Sequence, residues 1–267
     1  MVDVKAGLAA LYHYLATSDE ALPKAVREVK RGAHGLEITP PAAVVKPLLY
    51  GYLAARNARE FGMRVFVCQP FFRAHCKECG SGLRTGDFVH WVQGQGDIIL
   101  GSNVWLDGKS TFTFAARFSE RPTLIIGDNT AVGHDTSFIV GKRITVGKNC
   151  NISGATMIFD SSGHPSDPVE RRLRRPPPPD QVRPVTIGDD VWIGKQSIIF
   201  PGVRIGDAAI VSAGSVVRRH VPAHGVVAGN PAQLVFRLPR PAGGAEERAA
   251  IAERAGEMVS DGGGRPP

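Results

Sequence analysis

Residues Ile187 to Val217 read IGDDVWIGKQSIIFPGVRIGDAAIVSAGSVV, and an aliphatic residue stands at every sixth position: Ile187, Ile193, Ile199, Ile205, Val211 and Val217. The next residue is small or polar at Gly188, Gly194, Gly206 and Ser212, with Phe200 the exception. A period of six is neither the 3.6 of a helix nor the alternation of a plain strand, so each hexapeptide reads as one short strand plus a corner. Three of them make a triangular coil. The aliphatic residue points into the prism, and the small residue after it lets the backbone bend where a side chain would collide.

Working outward, weaker copies precede this run: Leu100, Leu106, Phe112, then Ile126, Val132, Phe138, then Val146, Ile152, Ile158. The changes of register between them imply three insertions. The largest lies between Ile158 and Ile187, 29 residues apart, which is not a multiple of six. The intervening FDSSGHPSDPVERRLRRPPPPDQVRPV, Phe159 to Val185, must therefore leave the coil, and Pro176 to Pro179 with Pro184 stiffen it and deny it ladder hydrogen bonds. A stacked solenoid needs covers at both ends. Helical apolar spacing over residues 3–16 and 20–31, and a third stretch at about 42–61 behind Pro40-Pro41, supply the first cover; a short helix over 245–259 and a tail through Pro267 follow the ladder.

The expected architecture is mainly β, a parallel β-helix of hexapeptide repeats. Its parts are an N-terminal helical and mixed region at 1–95, the β-helix at 96–237 with an extruded loop at 160–184, and a C-terminal helix and flexible tail at 238–267.

The 267 residues include 31 Gly and 20 Pro, an excess that the corners and the loop account for. Lys plus Arg number 32 against 25 Asp plus Glu, a net charge of +7, which suits an anionic partner such as coenzyme phosphates, an acidic polymer, nucleic acid or a membrane surface, without choosing among them. Asp3 and Lys5 interrupt any secretory signal, and the best apolar stretch, near Val44, is broken by Lys46 and Pro47 before the ~18 residues a membrane span needs. A cytoplasmic protein is expected. Four cysteines are too few for a disulfide framework in this length. Cys76-x-x-Cys79, with Cys68 and His75 nearby, has the spacing of half a zinc knuckle, but no second pair exists, so packed thiols are expected and no metal. Cys150 sits within a ladder turn, where packing is favoured over a nucleophilic role.

The string from Val191 to Val217, followed by VVAGNPA at Val226 to Ala232 and preceded by Gly163-His164-Pro165, resembles the hexapeptide-repeat acyltransferases, above all the galactoside and maltose O-acetyltransferases and their relatives in polysaccharide biosynthesis. The resemblance covers roughly Leu100 to Arg237. It implies a left-handed helix sense, a homotrimer with sites between subunits, acetyl-CoA as co-substrate, and O-acetylation of a sugar hydroxyl in polysaccharide or cell-envelope glycan assembly. A small-molecule or glycan acceptor is the expected partner, with peripheral contact at the inner membrane face and no nucleic acid. By the same match His164 is the catalytic base; Asp160, close by in the chain, is read either as the carboxylate that orients the imidazole or as a solvated acidic loop residue.

The chemistry needs such a residue, because a hydroxyl attacks a thioester well only while an imidazole removes its proton. Trp192, Gly194, Lys195, Ala213, Gly214, Ser215, Arg218 and Arg219 fall where the resemblance points to coenzyme contacts. Galactoside-type relatives carry an arginine where Gln233 stands, so one phosphate contact is either lost or replaced by Arg237. His134 and Asp135 fall where acceptor contacts are expected. Arg171, Arg172, Arg174 and Arg175 are a charge run that would meet an acidic glycan or only solvent. Two other functions compete: N-acetylation of an amino sugar or nucleotide sugar with the same base, and a non-catalytic trimeric scaffold. A carbonic anhydrase prism needs three histidines on zinc, and the ladder offers mainly His134 and His164.

Overall fold

The computed structural model describes residues 4–115 and 117–239. The expected C-terminal helix over 245–259 lies outside the described residues. Three helices form where apolar spacing placed them: α1 at Val4–Thr17, α2 at Ala21–His34 and α3 at Ala42–Met63. The chain divides into two units within α3, one ending at Asn57 and the next beginning at Ala58. In the first, α1 and α2 pack together, and the Arg27 guanidinium donates to the Leu15 carbonyl at 2.9 Å.

The second unit is a left-handed parallel β-helix of three sheets. Its first face stacks Glu78–Cys79, Asp97–Leu100, Thr123–Ile126, Arg143–Val146, Val185–Ile187 and Arg204–Ile205. The second face stacks Arg84–Thr85, Trp105–Leu106, Ala131–Val132, Asn151–Ile152, Trp192–Ile193 and Ile210–Val211, then Gly225–Ala228 and the antiparallel Gln233–Arg237. The third stacks Trp91–Gln93, Thr111–Phe114, Ser137–Val140, Met157–Phe159, Ile198–Ile199 and Val216–Val217.

The ladder residues of the sequence meet in register. Leu100, Ile126, Val146, Ile187 and Ile205 form one buried column, and Leu106, Val132, Ile152, Ile193 and Val211 form the second. The third is Phe112, Phe138, Ile158, Ile199 and Val217. Each fully buried side chain contributes about 1.5–3 kcal/mol, so these columns dominate the stability of the prism. At the corners the coils approach closely: a Cβ on Gly194 would run into the backbone nitrogen of Ala213 on the next coil, which is why the small residue after the ladder position is obligatory there.

Strand pairing begins at Glu78, ahead of the ladder legible in sequence. Above that first coil the short helix α4, Gln69–His75, inserts Phe72 as a plug, its ring centroid 4.8 Å from His90 and 5.0 Å from Phe112, which in turn stacks on Phe138.

His90 is the one imidazole held inside this plug among the described residues. Its Nδ1 accepts the Ser110 N–H at 3.1 Å, so the neutral ring carries its proton on Nε2, which is buried without a partner. Burial pushes the pKa down to about 4, outweighing Asp107 and the Ser110 bond. Between pH 6.5 and about 4 the unfolded chain takes up a proton that the folded chain refuses, so stability is complete above pH 6.5 and falls as the pH drops. The loss totals about 3 kcal/mol and levels off below pH 4. Denaturant titrations between pH 7 and 4 should show this slope in the native chain and a flatter one in His90→Leu; equal slopes would refute the assignment.

Candidate active site

The three insertions leave the prism at a single edge. Segments 115–122, 141–142 and 160–184 each follow a third-face strand and lead to a first-face strand. A corner can accept such a departure without breaking any ladder. They also touch one another: a Cβ on Gly141 in the second insertion would lie 2.9 Å from Val182 near the end of the long loop, 3.1 Å from Asp160 at its start and 3.1 Å from Phe118 in the first insertion.

The long loop is anchored at its root. Asp160 is fully buried and accepts the N–H groups of Gly141 at 2.5 Å, Lys142 at 2.7 Å and Arg143 at 2.7 Å. Burial raises its pKa against the pull of these donors. Its carboxylate therefore holds the 141–143 turn. Beyond it, the Gly163 N–H donates to Ser161 Oγ at 3.2 Å, and Gly163 has a φ of 76°, a left-handed value that a side chain would strain. His164 follows with an exposed ring, between this bend and the buried Pro165.

A short helix, α5 at Pro168–Arg172, is capped by Asp167, whose Oδ1 accepts from Val169 and Glu170 at 2.8 Å each. Arg171 reaches back to the carbonyls of Pro165 at 3.0 Å and Ser166 at 3.1 Å, and Arg175 pairs with Glu170 at 3.1 Å. Both were read in sequence as part of a charge run; Arg171 fastens the segment carrying His164, while the Arg175 pair lies further along the loop. The Arg171 contact was missed because a guanidinium-to-carbonyl bond has no sequence pattern.

The other candidates fall into two groups. Arg218 and Arg219 follow Val217 at the same edge as the loop. The Arg218 guanidinium lies 4.8 Å over the Phe200 ring, which packs on Phe159. Arg219 joins His220, Gln233, Leu234, Val221 and Val227 around a cleft of about 220 Å³ at the last coil. Arg237 ends the antiparallel strand and pairs with Gly225.

The second group lies on the second face and the corner after it. Trp192 is 52% exposed there, followed by Gly194 and Lys195. His134 and Asp135 occupy the matching corner two coils earlier, the His134 ring lying against Gly154, where a Cβ would stand 3.2 Å from it. The N–H of Gly214 donates to the Lys195 carbonyl at 2.8 Å, and Ser215 is buried, its Oγ accepting the Gly229 N–H at 3.3 Å. One chain thus carries His164 on one edge of the prism and His134, Asp135, Trp192 and Lys195 on another side.

The thiols are packed. Burial pushes Cys76 up to about 12 and Cys150 up to about 11, so both are protonated at neutral pH, and a protonated thiol is a poor nucleophile. Among the described residues no group of three or more His, Cys, Asp or Glu is placed to hold a metal ion, and no helix is long and apolar enough to cross a membrane.

Residues 184–219 match the family model described as the hexapeptide repeat of succinyl-transferase. The Saccharomyces cerevisiae protein YJL218W, which carries the name of an acetyltransferase, is 41% identical over 115 residues, 43% of this chain and 56% of that protein. Galactoside O-acetyltransferase of Escherichia coli is 29% identical over 139 residues, 52% of this chain and 63% of that enzyme. The chain spans 56% to 63% of the length of these two relatives. In fold it is similar to AntD, an N-acyltransferase from Bacillus cereus solved with dTDP and 3-hydroxybutyryl-CoA, with a TM-score of 0.54 at 20% identity over 72% of this chain and 96% of that one.

Proposed function

We propose, on the premise that this chain belongs to the hexapeptide-repeat acyltransferase family, that it transfers an acetyl group from acetyl-CoA to a sugar hydroxyl, with His164 as the general base. The observation that carries the reading is His164 itself: an exposed imidazole at the root of a long loop that is pinned on both sides, by Gly163 and by Arg171. In the proposed reaction the imidazole takes the acceptor proton as the hydroxyl oxygen bonds to the thioester carbon. The tetrahedral intermediate then expels the coenzyme sulfur, which receives that proton back from the imidazolium. The cleft beside Arg219 and His220 suits the coenzyme's phosphates. Here the galactoside O-acetyltransferase likeness supports an oxygen acceptor, in glycan assembly.

The split of the candidate residues between two sides of the prism supports a homotrimer, in which the loop edge of one copy faces the second face of the next. Exposed Leu48, Leu49, Tyr50 and Tyr52 on α3 support contact of the N-terminal region with a membrane face.

A thiol-release assay with acetyl-CoA over a panel of sugars and amino sugars tests the reaction, and light scattering tests the assembly. The expected outcome is release that depends on a neutral sugar, from a particle of about three times the 28.5 kDa chain. Faster reaction with amino sugars would transfer the assignment to nitrogen. No acceptor-dependent release would leave a scaffold, and a monomer would leave the two groups unjoined.

A further inference from the structure

The second face carries an outward column beside its buried one. Pairing sets Trp105, Ala131, Asn151 and Trp192 side by side on four successive strands. Three steps of about 4.8 Å separate the two tryptophans by about 14 Å, longer than one pyranose ring. Both indoles are half exposed, at 50% and 52%, while the residues between them are small or polar. The rim adds the exposed His134, lying against Gly154. The result is a trough with an aromatic wall at each end, an amide on its floor and an imidazole at its side.

We infer that this trough binds a glycan chain of several sugar units, so that the acceptor is an oligosaccharide or polysaccharide segment. A pyranose is apolar on its C–H faces and polar around its rim, and the trough repeats that division: indole faces for the C–H surfaces, the Asn151 amide and His134 ring for hydroxyls. Between the indoles the column carries the exposed Asn151 amide, which the hydroxyls of a sugar match better than an apolar protein strip would. Trp105 stands two coils from the nearest end of the loop-bearing coil, so it would grip the chain away from the reacting ring. It is a specificity residue that no motif marks. The inference rests on the sugar-acceptor reading above and adds the length of the acceptor.

Calorimetric titration of the full chain with maltohexaose, cellohexaose and N-acetylchitohexaose, each against its monosaccharide, tests it. At least one hexasaccharide should bind tenfold or more tightly than its monosaccharide. Trp105→Ala should weaken that binding by about tenfold, the size of losing one aromatic face. Trp105→Phe should restore most of it, and Trp91→Ala, which removes an exposed indole on the third face, should leave it unchanged. Absence of any preference for a hexasaccharide overturns the proposal, as does equal weakening by Trp91→Ala. So does loss of assembly mass in Trp105→Ala, which would assign the trough to a neighbouring copy. Acetyl transfer to a monosaccharide without tighter hexasaccharide binding refutes the trough alone, whereas hexasaccharide binding without transfer refutes the enzymatic reading alone.

Discussion

His164→Ala is expected to lower kcat by about 10²–10⁴-fold, the usual contribution of a positioned acid–base group. The effect is large because one imidazole serves two proton transfers, from the attacking hydroxyl and to the departing sulfur. Stability should move little, within ~0.5 kcal/mol, since the ring is exposed and the segment is held through backbone carbonyls and Gly163. Coenzyme affinity should also persist, because Arg219 and the cleft lie at the last coil. The pattern to look for is a fall in kcat with nearly constant KM for acetyl-CoA. A variant that turns over at the native rate removes His164 from the chemistry, and one that also loses its melting transition shows the site to be structural.

The prism was legible from Leu100 onward because from there each buried position of the three columns holds an aliphatic or aromatic side chain. The first coil was not, for a physical reason. Its residues in register with Leu100, Leu106 and Phe112 are Cys79, Thr85 and Val92, so a thiol and a hydroxyl replace two aliphatics and the spacing slips by one. Phe72 from α4 closes this end of the core against His90 and Phe112, and a plug arriving from another element has no period to betray it. The insertions were countable from register, yet their shared edge became visible only when coils were stacked.

Trp105 illustrates the same limit for the site. It precedes a ladder residue as Trp192 does, which was a signal available in the sequence. That the two face one trough depends on Ala131 and Asn151 lying between them, and so on which strands are neighbours.

Asp160→Ala is expected to destabilise the β-helix by about 3 kcal/mol, because it takes the acceptor from three N–H groups of the 141–143 turn, that of Gly141 buried and those of Lys142 and Arg143 partly buried. For a unit of this size that is a fall of roughly 10 °C in Tm. Asp160→Asn should keep much of the loss, since its amide offers one oxygen and turns an NH2 toward the remaining donors. The same turn supports the loop, through the Lys142 ammonium that donates to the Pro179 carbonyl at 3.1 Å, so loosening it frees both the root and the far end of the segment bearing His164. The order of effects distinguishes the two roles open to this carboxylate. If it braces the turn, the melting midpoint falls in both variants, and turnover measured well below that midpoint falls less than in His164→Ala. If it orients the imidazole, turnover falls and its pH profile shifts while the midpoint holds. The three short N–H bonds predict the first order, and a thermally intact Asp160→Asn with slowed turnover would return the carboxylate to the histidine.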